Sequence, residues 1–240
     1  MKKNTVKVIC LIPARGNSKG IKEKNTRSFG NKPLIAHTIK SALKSNLFEH
    51  VIVSTDSQKI ASIAKKWGAD VPFIRPKKLA TDKAAFDDVL IHAVKKLIKM
   101  NYKFDIILTR DCTAPFIDEK DMIGSLNLFL QSKCDAVFSV SKCHPNPYFG
   151  MFEQNSKKYL VPSKKFYKPI KRRQDAPLVY ELNGLYINSK AILLKTGKMF
   201  TKKILPYEID KEHGYLIDHD IQFTIAEMMY NLRKQSKINF

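Results

Sequence analysis

Short apolar runs alternate with stretches of helical spacing along most of this chain. Val6 to Ile12 (VKVICLI) is short, apolar and β-branched, and it predicts a buried strand. From Pro33 to Phe48 the residues Leu34, Ile35, Thr38, Ile39, Ala42 and Leu43 recur at helical spacing, with Pro33 suited to a first turn. HVIVSTDS predicts a second strand, and Asp56 or Ser57 would cap the helix QKIASIAKKWG, which stops at Gly68. VPFIRP predicts a short third strand, Ala84 to Met100 an amphipathic helix, and Asp105 to Asp111 the next strand. DMIGSLNLFLQS then reads as a helix and Ala136 to Ser141 as a strand.

The alternation breaks between Cys143 and Pro177, a stretch rich in proline, lysine and tyrosine without a sustained period. This predicts a protruding hairpin or arm. YELNGLYINSK returns as a strand, KILPYEI as a shorter one, and Asp220 to Gln235 as a closing helix. Strands alternating with helices predict an α/β fold, with a mainly parallel central sheet flanked by helices. The expected organisation is a single domain over 1–240 with an excursion at about 143–177.

Composition changes the picture in one respect. With 240 residues, 44% hydrophobic and 27% charged, the chain has material for a core, but its formal net charge is +21. The lysines are spread out rather than blocked, which fits a solvated surface whose field attracts anions. Cys10, Cys112, Cys134 and Cys143 show no metal-ligand spacing, and Cys10 falls in an apolar strand. The opening MKKNTVKVICLI holds Lys7 and stops at Pro13, unlike a secretory leader, and no run is long enough to span a bilayer. A cytoplasmic protein with no membrane partner is expected.

Two motifs carry candidate chemistry. The loop after the first strand holds Arg15, Gly16, Ser18, Lys19, Gly20, Lys22 and Lys24. Glycines there can turn amide groups toward an anion, and arginine can grip phosphate oxygens in pairs. Neither of the common phosphate-loop signatures is present, so composition alone leaves a triphosphate cradle and a plain basic turn both open. Late in the chain, GYLIDHDIQF places Asp218 and Asp220 two apart, on one side of an extended segment. Such a pair suits magnesium, and equally a helix cap with a solvated neighbour.

IPARGNSKGIKEKN resembles the opening motif of the CMP-sialate synthetase family, cytidylyltransferases that activate nine-carbon acidic sugars. The resemblance implies a Rossmann-like nucleotidyltransferase that uses CTP and Mg²⁺, with Asp218 and Asp220 as the metal ligands. It implies nucleotide contacts from Arg15, Gly16, Asn17, Ser18, Lys24 and Asn25, with Arg15, Lys24 and the two aspartates catalytic. FIRPKKLATDKAAFDD is similar to the family's R-P-x-x-L-A-x-D segment, giving Arg75 a nucleotide role, although Lys83 to Phe86 replace its usual hydroxyl residues.

LTRDCTAPF is similar to L-L-Q-P-T-S-P-L, with Asp111 where the family's glutamine faces the sugar. That acidic residue, NPYFGMFE and RRQDAPLVYELNGLYI point to the branch that activates legionaminic acid. Arg173 and Gln174, beside Arg172, would grip the sugar carboxylate, and Asn183 with Gly184 would form a pocket wall. The family's arm implies a homodimer. His37, His92, His144 and His213 are expected to be structural. The alternative readings are a nucleotidyltransferase for another sugar acid of the KDO kind and a nucleic-acid-binding module. The second lacks the aromatic-and-basic strand signature such modules carry, so no nucleic-acid partner is expected.

Overall fold

The first strand, β1 (Val8–Pro13), is buried on both faces, and its alternation divides the core in two. Val8, Cys10 and Ile12 face one layer, whereas Ile9 and Leu11 face the other. A computed structural model describes residues 6–235 of the chain and shows what fills each layer.

After a small hairpin, β2 (Ser28–Phe29) and β3 (Lys32–Pro33), come α1 (Leu34–Lys44), β4 (His50–Ser54) and α2 (Gln58–Lys66). Ser57 caps α2 through the Ile60 amide at 3.3 Å, and Gly68 follows it with a positive φ. Then follow α3 (Phe86–Lys99), β5 (Ile106–Arg110), α4 (Glu119–Gln131) and β6 (Ala136–Lys142). The chain closes with a hairpin β7 (Phe152–Gln154) and β8 (Leu160–Pro162), then β9 (Tyr180–Ser189), α5 (Lys190–Thr196), β10 (Ile204–Glu208) and α6 (Asp220–Lys234).

Six strands form the main sheet in the order β10-β6-β9-β5-β1-β4. Only β9 is antiparallel to its neighbours, β5 and β6. Ile35, Ile39, Ile60 and Met122 cover one face, and Leu90, Val94 and Leu97 of α3 the other. β1 pairs with β4 on one side and β5 on the other, so the connections leave it in opposite directions. Open α/β sheets place their ligand crevice at such a switch point, outside the carboxyl ends of the strands. A third, smaller cluster (Ile21, Phe29, Leu34, Phe116, Ile217, Phe223 and Ala226) binds the loop after β1 to α6.

The expected strand at VPFIRP is not formed. Only isolated bridges, Ile52 with Asp70 and Thr55 with Ile74, join this segment to β4. Pro72 and Pro76 lack the amide hydrogens that a continuous ladder needs. The arm region does carry a hairpin, and its strands are exposed along their length.

Candidate active site

Arg15, Ser18, Lys24, Asn25, Arg75, Asp111 and Asp218 line one cavity of about 350 Å³ at the switch point. Four pieces of the fold supply them: the loop after β1, the segment at Arg75, the end of β5 and the segment before α6. Asn25 donates from its amide to the Arg15 carbonyl at 3.0 Å, which folds the loop back on itself. Lys24, almost fully buried, donates to the Ile217 carbonyl at 2.8 Å and reaches Asp218 Oδ1 at 3.2 Å. The loop after β1 is thereby tied to a segment almost the whole chain away.

Gly20 shows why that junction needs glycine. A Cβ there would lie 1.9 Å from the Asp218 carbonyl oxygen. Neither Gly16 nor Gly20 has a positive φ, so close approach rather than unusual backbone explains both. The Gly16 amide does turn to an anion, but to one within the chain: its N–H donates to Asp56 Oδ1 at 2.8 Å. Asn17 is exposed and lies outside the cavity lining.

Arg75 is only 4% exposed, yet its Nε and one terminal nitrogen have no hydrogen-bond partner among the described residues. Its nearest counter-charge is Asp56 at 4.0 Å, beyond hydrogen-bond reach. Burial lowers the Arg75 pKa, partly offset by Asp56, but a guanidinium stays charged in proteins. A buried cation with idle donors facing a cavity is prepared for an anion or carbonyl.

Asp111 follows β5 and stands between cations and another carboxylate. Desolvation pushes its pKa up to about 6, against the opposing pull of Arg110 and Lys24, while Asp218 adds to the rise. The Tyr186 hydroxyl donates to it, and Gly184, with φ +82, leaves room where a Cβ would meet the Asp111 Cβ at 3.0 Å. Cys112 also lines the cavity, but burial pushes its thiol up to about 12, so it offers no nucleophile.

Four more expected positions are placed elsewhere. Asp220 opens α6 and pairs with Arg27 outside the cavity lining, so the two aspartates of the motif do not share one site here. Arg27 also sits over the Phe223 ring, 4.2 Å from its centroid, which holds it beside Asp220. Asn183 is fully buried and donates to Ser141 Oγ at 3.2 Å and the Gly214 carbonyl at 3.1 Å; it is a strut beneath the loop leading to Asp218, not a pocket wall. Arg173 and Gln174 lie exposed on a 3-10 turn in the arm, with Arg173 against His144.

The sequence reading overlooked the partners of several residues. His213 is buried with Nδ1 2.8 Å from Asp121 Oδ2, and that carboxylate also accepts the Asp118 amide at 3.0 Å. Arg110, fully buried, donates to the carbonyls of Ala114 and Ile117 and carries its charge beside Asp111 and Asp121. No periodicity marks the pairing of His213 with Asp121, because its members lie 92 residues apart in the chain. Asp82, visible in the sequence only as the end of a motif, also lines the cavity.

Comparison with known proteins agrees with this fold. The chain is 34% identical over 224 residues to the post-translational flagellin modification protein B of Campylobacter coli, covering 92% of this chain and 94% of that one. It is 33% identical over 237 residues to the CMP-N,N'-diacetyllegionaminic acid synthase of Campylobacter jejuni, covering 97% and 99%. In fold it is similar to a CMP:2-keto-3-deoxy-manno-octonic acid synthetase solved with CTP, with a TM-score of 0.71 and 17% identity, over 95% of this chain and 99% of that one. The cytidylyltransferase profile matches residues 9–237, and the chain belongs to that family.

Proposed function

We propose that this enzyme transfers the cytidylyl group of CTP to a nine-carbon acidic sugar of legionaminic or sialic type, releasing pyrophosphate. The observation that carries the reading is the cavity itself. Three cations, Arg15, Lys24 and Arg75, face the carboxylates of Asp111 and Asp218 at the sheet's switch point. Polyphosphate and an acidic sugar need the first set, and a metal-bridged phosphate needs the second. The relatives' names supply the base and the class of sugar.

The sugar's anomeric hydroxyl would attack the α-phosphorus in line. Arg15 and Lys24 would take up charge on the phosphate oxygens, and the rigid cavity would supply orientation. The donor set is all oxygen, which fits Mg²⁺. Asp218 lines the cavity and would hold the ion, and Asp220 joins it once Arg27 releases it. Bound there, magnesium would neutralise phosphate charge.

We further propose that the enzyme is a homodimer. Tyr167 and Leu160 in the arm are 80% and 70% exposed, and Phe152 is 55% exposed, which suits burial against a second copy. Such a partner would bring Arg173 and Gln174 toward a sugar. The cysteines are all unpaired, in keeping with the reducing cytoplasm expected for this reaction.

The test is pyrophosphate release from CTP with a panel of nonulosonic acids, beside ATP, GTP and UTP. CTP should be strongly preferred. Ionised Asp111 only accepts hydrogen bonds, so a diacetamido sugar presenting N–H should exceed N-acetylneuraminic acid in kcat/KM, by about one to two decades. Asp111→Gln should narrow that gap. Release with no sugar acid in the panel would defeat the reading.

A further inference from the structure

Arg15 and Lys19, on the loop after β1, converge on one carboxylate that arrives from the far side of the cavity. Asp82 Oδ1 accepts from an Arg15 terminal nitrogen at 2.6 Å, and Asp82 Oδ2 lies 3.3 Å from Lys19 Nζ. Both oxygens are engaged, and Arg15 and Asp82 both line the cavity. Two cations bridged by one two-oxygen anion is also how such a loop would hold a phosphate.

The segment that delivers Asp82 is lightly attached. Residues 77–85 form a 3-10 turn (Lys77–Leu79) and a bend, and none of them is buried. The backbone hydrogen bonds Leu79 to Pro76, Ala80 to Lys77 and Ala84 to Thr81 are local. Firm anchoring begins outside it, at the Arg75 amide on the Thr55 carbonyl and at α3. Desolvation would raise the Asp82 pKa, but the hydrogen bonds from Arg15 and Lys19 outweigh it and hold the carboxyl below its ordinary value. The group is therefore an anion wherever the enzyme works.

We propose that Asp82 is the resident counter-ion of the phosphate loop, occupying the place of a nucleoside triphosphate until one displaces it and frees segment 77–85. This deepens the nucleotide reading and rests on it. The arrangement has two effects. It keeps Arg15 extended toward the cavity in the absence of ligand, so its side chain is already ordered when nucleotide arrives. It also sets a threshold: these pairs are partly exposed and screened by salt, so a polyanion replaces the carboxylate, whereas a singly charged anion competes poorly. Leu79, Thr81 and Ala84 line the same cavity, so displacement of Asp82 would move one wall of it.

Titration calorimetry on the full chain decides the matter, with CTP and inorganic tripolyphosphate as probes and magnesium held constant. Asp82→Asn keeps the shape and removes the charge. It should bind both probes about three- to tenfold tighter than the native protein, the gain expected from losing two weak internal ion pairs. Amide exchange in 77–85 should be faster in the ligand-free variant than in the ligand-free native chain. Equal or weaker binding by the variant would overturn the proposal, since Asp82 would then be assisting the ligand rather than holding its place. Native binding of tripolyphosphate without CTP would defeat the nucleotide reading, while the tripolyphosphate gap still decides Asp82. Binding of neither probe by either protein would overturn both.

Discussion

Asp218 and Asp220, read as a pair in the sequence, have different surroundings. Asp218 touches Lys24 inside the cavity, whereas Asp220 is paired with Arg27 at the start of α6. Replacing Asp218 by Asn should lower kcat by about two to three decades and raise the magnesium requirement, in line with losing a charged group at the reacting phosphates. Asp220→Asn should cost less; an equal loss in a magnesium titration would show that Arg27 does release it for the metal. Asp111 gives a second expectation, in the ligand-free chain with metal chelated. Its folded pKa of about 6 lies above the ordinary carboxylate value, so the folded state binds the extra proton. Its contribution is therefore present at low pH and is lost as pH rises from about 4 through about 6. Chemical denaturation across that window should show falling stability, flattened in Asp111→Asn. The gathering of Arg15, Lys24 and Arg75 at one cavity was legible because those charges lie in continuous motifs. The Asn183 strut was not, because its partners Ser141 and Gly214 come from separate parts of the chain.

At the scale of elements, α6 is more than a closing helix. Phe223 meets the Phe29 ring edge-on at 5.7 Å, and Ile21 and Ile217 join the same cluster. Packing there sets the height of the segment that ends in Asp218. Phe223→Ala should destabilise the chain by about 3–5 kcal/mol, as buried aromatic truncations do, and should also raise KM for CTP. Thermal and chemical unfolding, with kinetics below the transition, would check both; unchanged KM in folded protein would uncouple the cluster from the site. Helices and most strands were readable because their apolar periods are strong. VPFIRP misled because apolar content outweighed its two prolines. α5 escaped notice because seven residues hold too few turns for a period to appear.

For the whole molecule, the arm exposes apolar side chains, Leu160 and Tyr167 among them, that the other described residues leave largely uncovered. Sedimentation at micromolar concentration should show a dimer, and a fully active monomer would oppose that assembly. The sheet order was not legible from the pattern, since periodicity identifies strands but not their neighbours. Only the structure shows that β9 lies between β5 and β6, against the direction of both. That position imposes a timetable. As the polypeptide emerges from the ribosome, β5 and β6 exist well before the strand that must separate them. Until Tyr180 to Ser189 has been made, both present unpaired edges built from Ile106–Arg110 and Ala136–Lys142. A chain released early at that stage should aggregate, and assembly of the sheet must await nearly finished synthesis.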